Sequence, residues 1–141
     1  MDLGITGKRA IVIGGSQGLG LAVCERLASE GVHLLLFARD AQRLAEAAAQ
    51  LQRACGVQVD VCAGDITRAE DIDRLASQAA QTGGAHIVVL NTPRPPSPMR
   101  DFLQEDDDAR WEQGYRQQLQ GALLVLRRLV PLLVGGGWGR V

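Results

Sequence analysis

The chain has 141 residues, 46% of them hydrophobic and 22% charged, with 17 glycines and five prolines; that composition belongs to one globular domain able to bury roughly two-thirds of its unfolded surface. With 15 basic and 16 acidic residues the formal net charge is −1, so no basic field draws nucleic acid or an anionic membrane. The three cysteines, Cys24, Cys55 and Cys62, are odd in number and lack metal-ligand spacing, so they read as reduced core thiols and no metal site is expected.

Strand-length apolar runs alternate with stretches of helical period, the mark of βαβ units in a parallel sheet. Ala10-Ile11-Val12-Ile13 is continuously apolar, as a strand covered on both faces must be. A helix is predicted from about Gly18 to Glu30, with Ala22, Val23 and Leu27 on its inner stripe and Gly31 stopping it. Val32 to Phe37 is the second strand. Asp40 is the predicted N-cap of a helix to about Ala54 that turns Leu44, Ala47, Ala48 and Leu51 inward.

Val57 to Val61 is the predicted third strand. Thr67 with Glu70 forms a capping box, opening a helix with Ile72, Leu75, Ala76 and Ala79 inward and Gly83-Gly84 at its end. Ala85 to Leu90 is the fourth strand. The stretch Asn91 to Arg100 holds four of the five prolines and must be a loop. A long helix from about Asp106 to Leu133 begins acidic and carries Arg127 and Arg128 towards its end, which suits the helix dipole. Gly135-Gly136-Gly137 ends it, and Trp138 to Val141 resembles the approach to a fifth strand.

Met1-Asp2-Leu3-Gly4 does not open a basic segment followed by an apolar run, and no apolar stretch reaches the roughly 20 residues that cross a bilayer. A cytoplasmic protein without a membrane segment is the expectation.

The chemistry lies in Gly14-Gly15-Ser16-Gln17-Gly18-Leu19-Gly20, directly between the first strand and first helix. Glycines in that place let backbone approach a diphosphate closely, and the helix N-terminus supplies amides and partial positive charge. The bland alternative is a tight turn that packs helix on strand. The expected fold is a Rossmann-type, doubly wound parallel sheet in strand order 3-2-1-4, with room for a fifth strand, helices on both faces and one domain over residues 1–141.

The spacing of Gly14, Gly18 and Gly20 resembles the cofactor loop of short-chain dehydrogenase/reductases, with Ile13 where that family usually has threonine. Ala38-Arg39-Asp40, Gly64-Asp65-Ile66-Thr67 and Asn91 fall in order as further marks. The resemblance implies that Gly14, Ser16, Gln17, Gly18, Leu19 and Gly20 cradle the diphosphate. Ala38 and Arg39 stand where an arginine pairs a 2′-phosphate, which favours NADP(H) over NAD(H); Asp40 serves NAD or simply caps the helix. Asp65 and the Ile66 amide meet adenine, or Asp65 forms a turn. Asn91 holds backbone beside the nicotinamide ribose.

The family's reaction, hydride transfer between the dinucleotide and a carbonyl or alcohol, needs a tyrosine, a lysine four residues later, a serine and a supporting asparagine. Gln118 matches the asparagine position. Tyr115 and Lys8, the sole tyrosine and lysine, are wrongly spaced, and the remaining groups are expected beyond residue 141. Arg94 and Arg100 meet an anionic substrate or a cofactor phosphate, or are merely solvated. Leu119, Ala122, Leu123, Leu126, Leu129, Val130 and Leu133 form one apolar stripe, which implies a homo-oligomer, and the fourth strand is left as an exposed edge. The leading expectation is the N-terminal part of a longer reductase; a naturally short nucleotide-binding or assembly protein without catalytic activity is the alternative.

Overall fold

The computed structural model describes residues 2–94 and 97–141. Four parallel strands, β1 (Arg9–Ile13), β2 (His33–Ala38), β3 (Val59–Ala63) and β4 (Ile87–Leu90), form one sheet in the order β3-β2-β1-β4. Between them run α1 (Gly18–Ser29), α2 (Ala41–Cys55) and α3 (Ala69–Gln81). Parallel strands require such crossovers, and right-handed ones place the helices on alternate faces once the strand order reverses beside β1. The expected doubly wound fold is therefore the one observed.

Successive side chains of a strand point to opposite faces, and the core divides accordingly. Ala10, Val12, Leu34, Leu36 and Val59 pack with Cys24 and Ala28 of α1 and with Leu44, Ala47, Ala48 and Leu51 of α2. Ile11, Ile13, Leu35, Phe37, Cys62 and Val88 pack on the other side with Ile72, Leu75 and Ala79 of α3 and with Val125, Leu129 and Leu133. Cys24 and Cys62 are buried thiols and Cys55 is half-buried, with no disulfide among the described residues.

Several expectations are corrected. The buried stripe of α1 is Gly20, Cys24 and Ala28, whereas Ala22 is exposed; the close approach of Gly20 to Gly14 fixes the rotation, and positions four and eight residues on follow it inward. Strand β3 starts two residues later than expected because Gly56, at φ +67, turns the chain out of α2 and Val57–Gln58 lead into the ladder. Thr67 does not cap α3. Its hydroxyl and amide both bond to Asp65 Oδ1, at 2.7 and 2.8 Å, and the cap position passes to Arg68, without a side-chain cap bond.

The last helix is composite. It consists of α4 (Asp108–Tyr115), one π turn (Arg116–Gln120) and α5 (Gly121–Gly135), with Pro131 inside α5. Its apolar residues do not form one stripe: Gly121, Val125, Leu129 and Leu133 are buried, while Leu119 and Leu123 are exposed. Arg127 and Arg128 lie two turns before the end, and Arg128 pairs with Asp73 of α3. Contrary to expectation, the run Asp108–Gly135, 28 residues long, is by length and composition apolar enough to cross a membrane. Its inner stripe nonetheless packs on the sheet and α3.

Nor is β4 a bare edge. Arg140 forms a parallel bridge with Ile87, accepting from the Val88 amide at 2.9 Å and donating to the His86 carbonyl at 3.0 Å, so the anticipated fifth strand has begun. Trp138 lies beside it, with Lys8 Nζ and the Arg140 guanidinium each 4.8 Å from its ring. Pro95 and Pro96 of the proline-rich loop, and Met1, lie outside the described residues.

Candidate functional site

In a parallel sheet every strand delivers its C-terminal end to the same edge, and there the glycine turn sits. The Gly14 amide donates to the Phe37 carbonyl at 2.8 Å, extending the ladder one residue past β1. Gly14 then takes φ +73, a left-handed value that favours glycine, and a Cβ on it would lie 2.7 Å from the Asn91 carbonyl oxygen. At Gly20 a Cβ would fall 1.9 Å from the Gly14 oxygen and 3.0 Å from Asn91 Nδ2. Gly18, at φ +55, has nothing within 4 Å of its would-be Cβ. Thus the inner glycines admit close packing and Gly18 faces open space.

The first bond of α1 runs from the Leu21 amide to the Gln17 carbonyl at 3.3 Å. The amides of Gly18, Leu19 and Gly20 precede that ladder and have no intrahelical acceptor, at the positive end of the helix dipole. Gln17 makes no side-chain cap bond. Ser16 is half-buried and Leu19 is exposed at the rim. The arrangement offers donors and space to an anion.

At the neighbouring strand end, Ala38 is half-buried and Arg39 exposed; among the described residues Arg39 makes no hydrogen bond or ion pair. Asp40 caps α2, its Oδ1 accepting from the Arg43 amide at 3.0 Å, and its Oδ2 lies 3.3 Å from Arg43 Nε. Arg43 Nη1 also donates to Gln17 Oε1, tying α2 to the glycine turn. Sequence reasoning missed Arg43. One signal was available, because a cation in the first turn of a helix opposes the dipole.

Beyond β3, Gly64 is pressed so closely that a Cβ would lie 2.8 Å from Phe37 and 2.9 Å from Asp71 Cβ. Asp65 donates its amide to Asp71 Oδ2 at 2.8 Å, and Arg74 meets Asp71 Oδ1 at 2.9 Å. The Asp65 amide first, and the Arg74 guanidinium with it, hold the Asp71 carboxyl below its usual range against the opposing effect of burial. Asp65 Oδ1 is taken by Thr67, which leaves Oδ2 without a partner among the described residues. The Ile66 side chain is buried against α5, where a Cβ on Gly121 would meet it at 3.1 Å.

Asn91, directly after β4, is half-buried and touches both Gly14 and Gly20 as described. Gln118 is placed elsewhere. It is exposed within the π turn and shares an apolar groove of about 490 Å³ with Met99, Trp111, Tyr115 and Leu119, with no hydrogen bond to the glycine turn among the described residues. Arg100, in the same groove, lies 3.7 Å from Glu105, and Arg94 is exposed without a partner among the described residues. Hence the structure gathers Gly14, Gln17, Gly18, Gly20 and Asn91 into one cluster, with Arg39 and Asp65 at the same sheet edge.

Residues 8–141 match the short chain dehydrogenase family. The chain belongs to that family. Glucose 1-dehydrogenase from Gluconobacter oxydans is 33% identical over 133 residues, covering 93% of this chain and 48% of that protein. An uncharacterised oxidoreductase of Staphylococcus saprophyticus is 27% identical, over 95% of this chain and 56% of its own length. Among solved structures, L-sorbose reductase from Gluconobacter frateurii, complexed with NADPH and L-sorbose, superposes with a TM-score of 0.90 at 36% identity, covering 99% of this chain and 52% of that one. Carveol dehydrogenase from Mycobacterium avium, in complex with NAD, shares the fold at a TM-score of 0.84 and 23% identity. The chain spans about half the length of the relatives it matches.

Proposed function

We propose that this chain is the NADP(H)-binding part of an oxidoreductase that moves hydride between the dinucleotide and a small carbonyl or alcohol. The observation that carries the proposal is the glycine turn, whose Gly14 and Gly20 leave no room for a Cβ and whose Gly18 opens onto free space. A dinucleotide fits such a cradle through its diphosphate, held by the amides around Ser16 to Gly20. Once bound, the cofactor would supply or accept the hydride; the protein's part is to grip and orient it.

In this reading the Asp65 Oδ2 oxygen and the Ile66 amide face adenine, and Asn91 fixes backbone beside the nicotinamide ribose. The preference for NADP(H) over NAD(H) rests on two features. Both Asp40 oxygens already face Arg43, which competes with a ribose 2′-hydroxyl for that carboxylate. Arg39, by contrast, has no partner among the described residues and can pair a 2′-phosphate. Gln118 takes the supporting position in the long helix, beside the groove as a substrate mouth.

Tyr115 and Lys8 do not serve as a proton-donating pair, since Tyr115 lies in the groove and Lys8 on Trp138. Complete turnover is assigned to the longer protein that the relatives exemplify. The exposed Leu119 and Leu123 on the outer face of the long helix support a homo-oligomer. Cytoplasm is the proposed compartment, and neither nucleic acid nor membrane has a part in the reading. Thermal unfolding with and without cofactor tests it. A ligand at 100 times its dissociation constant adds about 2.7 kcal/mol, so NADPH should raise the Tm by several degrees; no rise with either NADPH or NADH would refute it.

A further inference from the structure

We propose that Asp71 is a positioning residue for the adenine end of the site: braced by Arg74, its carboxylate holds the Asp65–Ile66 turn in the register that meets the base. The inference rests on the cofactor reading above and adds two residues that do not themselves touch the cofactor.

Asp65 is pinned on every polar group but one. Its amide donates to Asp71 Oδ2 at 2.8 Å, its carbonyl accepts from the Arg68 amide at 3.1 Å, and its Oδ1 accepts from both the amide and the hydroxyl of Thr67. Among the described residues this leaves Asp65 Oδ2 as a free acceptor and the neighbouring Ile66 amide as a free donor. An adenine edge presents the complementary pair, its 6-amino group as donor beside a ring nitrogen as acceptor. Only a turn held in one register keeps that pair aimed at the base.

The needs of α3 do not account for Asp71. It is the third helical residue after the cap position Arg68, from where an acid ordinarily reaches back to the amide of the cap residue. Here the Arg68 amide is taken by the Asp65 carbonyl, and Asp71 reaches past it to the Asp65 amide. Glu70, exposed in the same turn, already serves the helix dipole. The Asp71 side chain is only 13% exposed, and its Oδ1 pairs with Arg74 Nη1 at 2.9 Å. Arg74 Nη2 in turn donates to the Ala63 carbonyl at the end of β3. One carboxylate thus joins the strand end, the first turn of α3 and Asp65. Gly64 makes the approach possible, since a Cβ on it would lie 2.9 Å from Asp71 Cβ.

The test compares NADPH with its hypoxanthine analogue, in which an oxo group replaces the 6-amino group, each titrated calorimetrically into the 141-residue chain. The wild type should bind NADPH about tenfold more tightly, as one charge-assisted hydrogen bond implies. Asp71→Ala should weaken NADPH severalfold and leave the analogue within about twofold, so that most of the preference disappears. Asp71→Asn keeps an acceptor for the Asp65 amide but loses the charge facing Arg74, and should retain part of the preference. Asp73→Ala, which removes the ion pair between α3 and Arg128, controls for general loosening of the helix and should leave the ratio unchanged. An unchanged ratio in Asp71→Ala, an equal loss for both dinucleotides, or the same fall in Asp73→Ala overturns the inference and leaves the cofactor reading intact. Should Asp71→Ala not fold, a wild-type ratio in Asp71→Asn overturns it equally. A wild type that binds both dinucleotides alike overturns the adenine contact and the inference with it, and one that binds neither overturns the whole cofactor reading.

Discussion

A side chain at Gly20 has no place to go, because the carbonyl oxygen of Gly14 would lie 1.9 Å from its Cβ. The contact is backbone against backbone, so no rotamer relieves it. The first turn of α1 therefore rests directly on the end of β1, and its leading amides are aimed over the sheet edge.

Gly20→Ala should accordingly lower the Tm by several degrees, since forced overpacking costs about 1–3 kcal/mol or more, and should abolish dinucleotide binding. Gly18→Ala provides the contrast. Its Cβ would meet open space but at φ +55, so the cost should be only about 1–2 kcal/mol of left-handed strain. Paired thermal melts distinguish the two; equal destabilisation would contradict the described packing.

Arg39→Asp should shift the preference from NADPH towards NADH. Among the described residues the exposed Arg39 has no partner to lose, so the variant should melt within about 0.5 kcal/mol of the wild type. Competition between the two dinucleotides, read as a ratio of dissociation constants, checks it. An unchanged ratio would defeat the cofactor assignment.

Acidification should weaken the sheet at His86. Its Nδ1 accepts from the Arg9 amide at 3.1 Å, and burial, with Lys8 and Arg9 nearby, holds the imidazole below its ordinary range. A histidine depressed in the folded state contributes stability above its unfolded value, about 6.5, and that contribution is lost as pH falls below it. Melting temperature should therefore drop from pH 7 to 5.5, and less so in His86→Asn, whose amide oxygen can replace Nδ1 as acceptor. Parallel curves for both proteins would exclude His86 as the cause.

The thiols should differ sharply in reactivity. Burial pushes Cys24 up to about 12 and raises Cys62 as well, and the thiolate is the reacting form. Alkylation of the native chain at pH 7.5 should label the half-buried Cys55 first, with Cys24 and Cys62 labelled only on unfolding. Mass spectrometry of the digested protein would reveal any other order.

Elements whose side chains repeat at the period of their own backbone were legible in the sequence. Leu44, Ala47, Ala48 and Leu51 with the Asp40 cap identify α2 and its inner face, and Ile11-Val12-Ile13 followed by glycines identifies β1 and the turn. What tertiary contact decides was not. In α1 apolar residues occur all round, so its rotation depends on Gly20 meeting Gly14. Thr67 has the spacing of a cap, but Asp65 competes for its hydroxyl and amide. The π turn at Gln118 leaves no mark in composition, and the tie from Arg43 to Gln17 exists only once α2 comes up against the glycine turn.

Resolved amide signals test the central claim most directly. In a 15N-labelled sample of the chain, titration with NADPH should move the backbone resonances of Ser16, Gln17, Gly18, Leu19 and Gly20 first and furthest, followed by those of Ile66 and Asn91. Resonances of the glycine turn that stay fixed at saturating NADPH, or shifts confined to another face of the sheet, would contradict the account.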